Sequence, residues 1–354
     1  MCRILSVLRV IDMDSSVVYQ MFTELSVEDQ RDFLNMINSQ PEIPDNDFDD
    51  IRDLFTRHSN NPLPDRVNCP HCQSVNVVKN GHKDDIQRFK CKDCRKSFTW
   101  TNNTILYGSK KDLSVWDRFC ECLMNKFPLR KCCEICKISL HTAFNWRHKI
   151  LDALQNMHHS IHLDGIIETD ETFFDLSFKG NRNLEESHHR GSMNHVSGIS
   201  NQLVCVPCSV NHVGLSIGQI TNLGKPTIKD LKKLLNSDHF MQGSILVTDS
   251  LANYDTIAAD LDLTHVKIPS GKHSNGQFNI QKINSYHNEL KRLVNRHFKG
   301  VATKYLNNYV VYNNFVNWAK GSFYTLLGVL KDFVYTTVCN TKGYKIVLRQ
   351  AIPL

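Results

Sequence analysis

Two Cys-x-x-Cys pairs, Cys69-Pro70-His71-Cys72 and Cys91-Lys92-Asp93-Cys94, are separated by eighteen residues. Such a pair sits on a tight knuckle whose thiolates point at one ion, and two knuckles together supply the tetrahedral sulfur shell that zinc prefers. Between them, Val75 to Lys79, Gly81 and Arg88 to Lys90 read as short strands turning back on one another. The expectation is a zinc ribbon over residues 66–108 holding one structural zinc ion on Cys69, Cys72, Cys91 and Cys94. The chain has thirteen cysteines, an odd count. The mildly apolar start, Met1 to Val10, runs directly into Asp12 and Asp14 with no secretory cleavage pattern, so an intracellular protein is expected, in which close pairs are ligands rather than bridges. Cys132, Cys133 and Cys136 fall on one face of a short helix and Cys205 and Cys208 form a lone pair in a strand; both sets read as structural. His158, His159, His162, His188 and His189 read as linker and loop residues.

At 354 residues the chain is long enough for several domains, and it contains no apolar run of the length that spans a bilayer. Charge divides it. Residues 1–65 carry 5 Lys/Arg against 13 Asp/Glu, a net of −8; residues 66–160 carry 17 against 8, a net of +9. The first segment, with one helical stretch from about Ser15 to Ile37 and a proline-marked linker at Pro62 and Pro64, is an acidic helical module unsuited to a polyanion. The second has the charge density of a nucleic-acid partner.

Residues 109–160 turn helical. Val115, Phe119, Cys122 and Leu123 mark one helix, Cys132, Cys133 and Cys136 a second, and Ala143, Trp146, Ile150 and Leu154 a third. Pro128 and Ser139 punctuate them, with Ser139 where the N-cap of a helix-turn-helix would stand. The third helix would then present Asn145, Arg147, His148 and Lys149 to DNA, although a basic amphipathic trihelix also serves as a plain packing unit.

From Gly165 the texture becomes strands, Ile166 to Phe174, Leu203 to Val210 and Leu215 to Thr221, followed by a helix from about Pro226 to Leu235, an apolar strand ending at Asp249, and a helix from about Ile283 past Lys291. A three-strand meander followed by alternating helix and strand outlines an RNase H-like catalytic domain over residues 161–335, leaving a tail at 336–354. The fold class is therefore multidomain α+β and α/β. In that outline Asp170, on the first strand, and Asp249 meet at one sheet edge. Carboxylates there are the ligand chemistry for two magnesium or manganese ions that activate an attacking oxygen and stabilise a leaving one. A turn or helix cap is the ordinary role of either aspartate alone. Glu168 and Glu171, flanking Asp170, read as packing or salt-bridging groups.

Taken with Glu168-Thr169-Asp170-Glu171-Thr172-Phe173-Phe174, Val247-Thr248-Asp249-Ser250, the stretch from Ile283 to Lys291 and the stretch from Phe298 to Leu306, the cysteine pairs give the chain a close likeness. It resembles insertion-sequence transposases of the acidic-triad type that carry an N-terminal zinc ribbon and are related to Merlin transposases. The resemblance spans about residues 65–320. It implies a third ligand some 35 residues after the second acid, with a basic residue seven positions later. Here those positions are Asn284 (284 − 249 = 35) and Lys291 (284 + 7 = 291), an amide where a carboxylate is commoner. Glu289 is the rival third ligand. His287 is a candidate for a role beside the site or against DNA, and Lys291, with Lys179, Arg182 and Arg190 in the loop after the first strand, for phosphate contacts, although Glu185 and Glu186 dilute that loop. The activity implied is binding of the element's terminal inverted repeats, phosphodiester hydrolysis and strand transfer into target DNA, by a homodimer or larger synapse inside the cell, in the cytoplasm or nucleoid if the host is bacterial. The alternative is an inactive or recruited descendant that only binds DNA through its ribbon.

Overall fold

The structure, a computed structural model, describes residues 68–352 apart from 84–85, 182–197, 273, 321–325, 338 and 340. The acidic segment 1–65, Arg182, Glu185, Glu186, His188, His189 and Arg190 lie outside the described residues. The described residues belong to the unit Val67–Leu354.

Three short strands, β1 (Val77–Lys83), β2 (Ile86–Cys91) and β3 (Ser97–Thr99), pair antiparallel in sequence order. Phe89 and Phe98 stack across β2 and β3 with ring centroids 5.8 Å apart, the apolar filling of a sheet too small to bury much else.

Four helices follow: α1 (Leu113–Met124), α2 (Leu129–Cys136), α3 (Leu140–Ala153) and α4 (Gln155–His159). Pro128 is the N-cap of α2, and Ser139 caps α3 by accepting the Thr142 N–H at 3.1 Å. Lys137 ends α2 in the left-handed conformation. The apolar stripes meet through Trp116 of α1 and Trp146 of α3, stacked at 3.6 Å.

The central sheet has the order β6-β5-β4-β8-β9, with β7 also on β5. Its strands are β4 (Ile166–Asp175), β5 (Leu203–Asn211), β6 (Ser216–Gly218), β7 (Asn222–Leu223), β8 (Ile245–Thr248) and β9 (Thr264–Lys267). β4, β5 and β6 are antiparallel neighbours, whereas β8 joins β4, and β9 joins β8, in parallel. The near-continuous burial of β5 fits this arrangement: both of its faces are covered, as in sheets with helices on either side. Of the helix expected over Pro226 to Leu235, only α5 (Ile228–Leu231) forms, started by a reciprocal capping box between Thr227 and Asp230. After it come α6 (Asn253–Asp260), a small hairpin of β10 (Ser274–Asn275) and β11 (Phe278–Asn279), and α7 (Gln281–Arg292), which runs into a π turn at Leu293–His297.

The long helix α8 (Thr303–Lys320) is buried along most of its length and packs on both β6 and the α3–α4 pair, so one core is shared by the helical region and the sheet. α9 (Leu326–Thr336) lies on α1 and α10 (Gly343–Val347) on α3. Arg349 donates twice to Asp152 of α3 at 2.6 Å, tying down the expected C-terminal tail. Among the described residues no helix is long and apolar enough to cross a membrane.

Candidate active site and metal centre

The ribbon brings four sulfurs together. The ligand atoms of Cys69, Cys72, Cys91 and Cys94 all lie within 4.8 Å of one another, with Cys69 and Cys94 at 3.5 Å and Cys72 and Cys91 at 3.6 Å. Those separations exceed a disulfide, and they match the edge of roughly 3.8 Å of a tetrahedron with metal–sulfur bonds of about 2.3 Å. Backbone N–H groups are aimed at the sulfurs, His71 toward Cys69 at 3.4 Å and Cys94 toward Cys91 at 3.5 Å. The Cys94 N–H leads the effects that pull the Cys91 thiol down to about 7, while the neighbouring Cys72 and Cys94 thiols are shifted up, so it is the four-sulfur geometry that marks the site. The donor set fits a metal ion such as zinc. Cys132 and Cys136 are buried in the helical core, Cys205 and Cys208 in the sheet.

The two aspartates meet by strand register. β4 and β8 pair in parallel up to Glu168 opposite Val247, and two residues further along each chain stand Asp170 and Asp249. Asp249 lies just beyond the end of β8 and accepts the Leu251 N–H at 3.0 Å, which holds it at the sheet's carboxyl edge. Asp170 accepts the Glu171 N–H at 2.8 Å. Burial pushes the Asp170 carboxyl up to about 6; that N–H opposes the shift, Asp249 adds to it and Lys291 opposes it.

The third element of the site is α7. Its buried face carries Ile283, Tyr286, His287 and Leu290. His287 places Nδ1 3.9 Å from Asp170 Oδ2 and is held neutral by burial, which lowers it to about 4, with Lys291 acting in the same direction. Asn284, three residues before His287, is exposed, and at 100° per residue Lys291, which acts on the Asp170 carboxyl, lies within about 20° of it around the helix. Glu289 lies elsewhere. Its carboxylate is 3.9 Å from Lys126 and 3.8 Å from Lys320, toward the helical region.

Two glutamates have roles that the residue pattern did not assign. Glu168, buried at 5% exposure, makes no ion pair among the described residues; it accepts the Ile283 N–H at 3.0 Å and thereby caps the start of α7. Glu171, on the opposite face, accepts the Tyr254 hydroxyl at 2.8 Å and is pushed up to about 7, chiefly by burial and further by Asp170 and Asp249. The alternation of a strand could have signalled the first, since residues two apart share a face. The identity of the partner helix could not be read from spacing.

The expected DNA-reading face of α3 is corrected by the structure. Arg147, 2% exposed, donates to the Phe127 carbonyl at 2.6 Å and lies 4.8 Å over the Phe298 ring. His148 is equally buried, packs on Tyr305 and Phe144 at 4.4 and 4.5 Å, and is lowered to about 3 by burial first and then by Arg349. Lys149 donates to the Ile105 carbonyl at 3.4 Å, and Asn145 is half-buried beside His141 and Gly343. These side chains serve the core because α8 and α10 cover the face that an isolated trihelix would expose. The exposed cations of the helical region include Lys110 and Lys111 before α1, Arg118 on it, Arg130 and Lys131 on α2 and Lys137 at its end. His158 is likewise a core residue, 4% exposed, accepting the Gly218 N–H at 3.4 Å. Lys179 donates to the carbonyls of Lys299 and Gly300.

Residues 162–315, which contain Asp170, Asp249, Asn284 and Lys291, match the ISXO2-like transposase domain family. Over 248 residues the chain is 24% identical to an uncharacterized protein in the transposable element ISH50 of Halobacterium salinarum, a match covering 69% of this chain and 83% of that relative. Both comparisons support an insertion-sequence transposase.

Proposed function

We propose that the protein is a metal-dependent DNA transposase that cuts at the ends of its own element and joins them to target DNA. The observation that carries this reading is the parallel register that sets Asp170 beside Asp249, in a segment matching a transposase domain, with α7 laid across them. Three antiparallel strands followed by two parallel ones, with helices on the faces, support an RNase H-like domain.

Asp170 and Asp249 fit a hard divalent cation: the Asp170 carboxyl, raised by burial and by Asp249 beside it, is stabilised in its ionised form by a positive charge between the two. Asn284 adds a neutral oxygen from the exposed stripe of α7. Magnesium or manganese bound there would supply Lewis acidity toward a phosphodiester oxygen. The residues do the rest. Glu168 fixes the start of α7, neutral His287 holds the Asp170 side against the helix, and Lys291 lies where a phosphate would meet the site. The metal-filled ribbon and the basic surface at Arg130, Lys131 and Lys137 support recognition of the terminal repeats; pairing of two ends calls for at least a dimer.

The test is cleavage of a duplex carrying the element's end by purified protein with magnesium or manganese. Asp249→Ala is expected to abolish cutting and leave binding nearly intact. Binding by the wild-type protein with no cutting under any divalent cation would instead favour an inactive or recruited DNA-binding descendant.

A further inference from the structure

The outward face of α7 and its π turn form an open groove of about 630 Å³ whose lining residues, Lys291 apart, the proposed cleavage chemistry does not use. Asn288, Lys291, Arg292, Asn295 and Arg296 line it at the three- and four-residue spacing of one helix face, and all five are exposed. The lone acid among its lining residues, Glu289, is engaged by Lys126 and Lys320. Three lining cations against that one carboxylate leave a net charge of +2 (3 − 1) along the groove. Such π turns recur at functional sites, and this one continues the cationic row to Arg296 beyond the end of α7. Lys291 belongs both to the groove and to the surroundings of Asp170, so the groove opens next to the acid pair.

We infer that this groove carries the sugar–phosphate backbone of DNA on its way into the acid pair, with Arg292 and Arg296 on successive phosphates and the amides of Asn288 and Asn295 donating between them. This rests on the transposase reading. Guanidinium forks and amide donors with no acidic rim left uncompensated suit a polyanion approached along its backbone, and they carry no base-reading arrangement.

The experiment measures affinity of the full-length, zinc-loaded protein, without added divalent cation, for a duplex carrying the element's terminal repeat and for a scrambled duplex over a salt series. The double variant Arg292→Gln/Arg296→Gln is expected to bind both more weakly and to flatten the slope of log affinity against log salt by about 0.9 for each phosphate no longer neutralised. Arg292→Lys/Arg296→Lys is expected to restore most of the slope, and unchanged melting temperatures show that both variants remain folded. Unchanged affinity and slope in the glutamine variant would overturn the groove while leaving the transposase reading in place. Weakening on the terminal repeat alone would also overturn it, since that is base readout. A wild-type protein that binds neither duplex would remove both inferences.

Discussion

Glu168 of β4 accepts the backbone N–H of Ile283 at 3.0 Å, joining the strand that carries Asp170 to the helix that carries Asn284, His287 and Lys291. A buried carboxylate spent on a helix N-terminus satisfies donors that would otherwise be orphaned and meets the positive end of the helix dipole. The placing of α7 against the strand of Asp170 therefore depends on a residue outside the proposed ligand set.

Replacing Glu168 by Ala leaves the first turn of α7 without its acceptor in a dry environment. Urea unfolding is expected to show a loss of about 1–3 kcal/mol, and cleavage by the remaining folded protein is expected to fall because α7 is no longer held at its register. Glu168→Gln, which keeps one acceptor oxygen, should recover most of the stability.

Asn284 and Glu289 are separable by metal affinity. Titration with manganese followed by electron paramagnetic resonance is expected to show tighter binding in Asn284→Asp, which adds a charge on the exposed stripe of α7, and weaker binding in Asn284→Ala. Glu289→Gln should leave manganese affinity unaltered, because that carboxylate is turned toward Lys126 and Lys320. A loss of manganese binding in the Glu289 variant alone would reverse the assignment.

The neighbouring Asp170 and Glu171 also set a pH dependence. The Asp170 and Glu171 carboxyls are raised to about 6 and about 7, burial being the largest cause in each. From the ordinary carboxylate range up to about pH 7 the folded chain thus holds more protons than the unfolded one, so these groups make stability fall as pH rises through that window. Thermal melts without divalent cation are expected to drop between about pH 5 and about pH 7.5. Magnesium, which favours the ionised pair, should raise the melting temperature more at the upper end of that range than at the lower. Asp249→Asn removes one charge beside the pair and should shrink the drop.

Arg147 tests the corrected helical face. Arg147→Ala is expected to destabilise the protein by about 2–4 kcal/mol, since it empties a packed site and strands the Phe127 carbonyl. The folded variant should bind DNA with the wild-type salt slope. A shallower slope at unchanged stability would return Arg147 to the DNA surface.

For the ribbon, a strong chelator is expected to release one metal ion per chain, read by a colorimetric zinc assay. Cys91→Ser should release it at lower chelator concentration.

The cysteine pairs, the N-cap at Ser139 and the alternation around Asp170 were legible in the chain because they are local: a knuckle, a cap and a strand face are set by residues a few positions apart. Asn284 and Lys291 came from the resemblance to acidic-triad transposases, through a spacing counted from Asp249, and not from a local signal. Which face of α3 meets water was not legible. Arg147 and His148 are covered by Phe298 and Tyr305, more than 150 residues further on, and an amphipathic basic helix does not announce what will pack on it. Glu168 illustrates the same limit, since its acceptor role exists only once α7, 115 residues away, lies across β4. Thus the sequence by itself determined the four-sulfur ligand set and the short-range signals around it. Tertiary structure alone decided which charges are buried and which face solvent, because desolvation depends on neighbours that chain distance does not reveal.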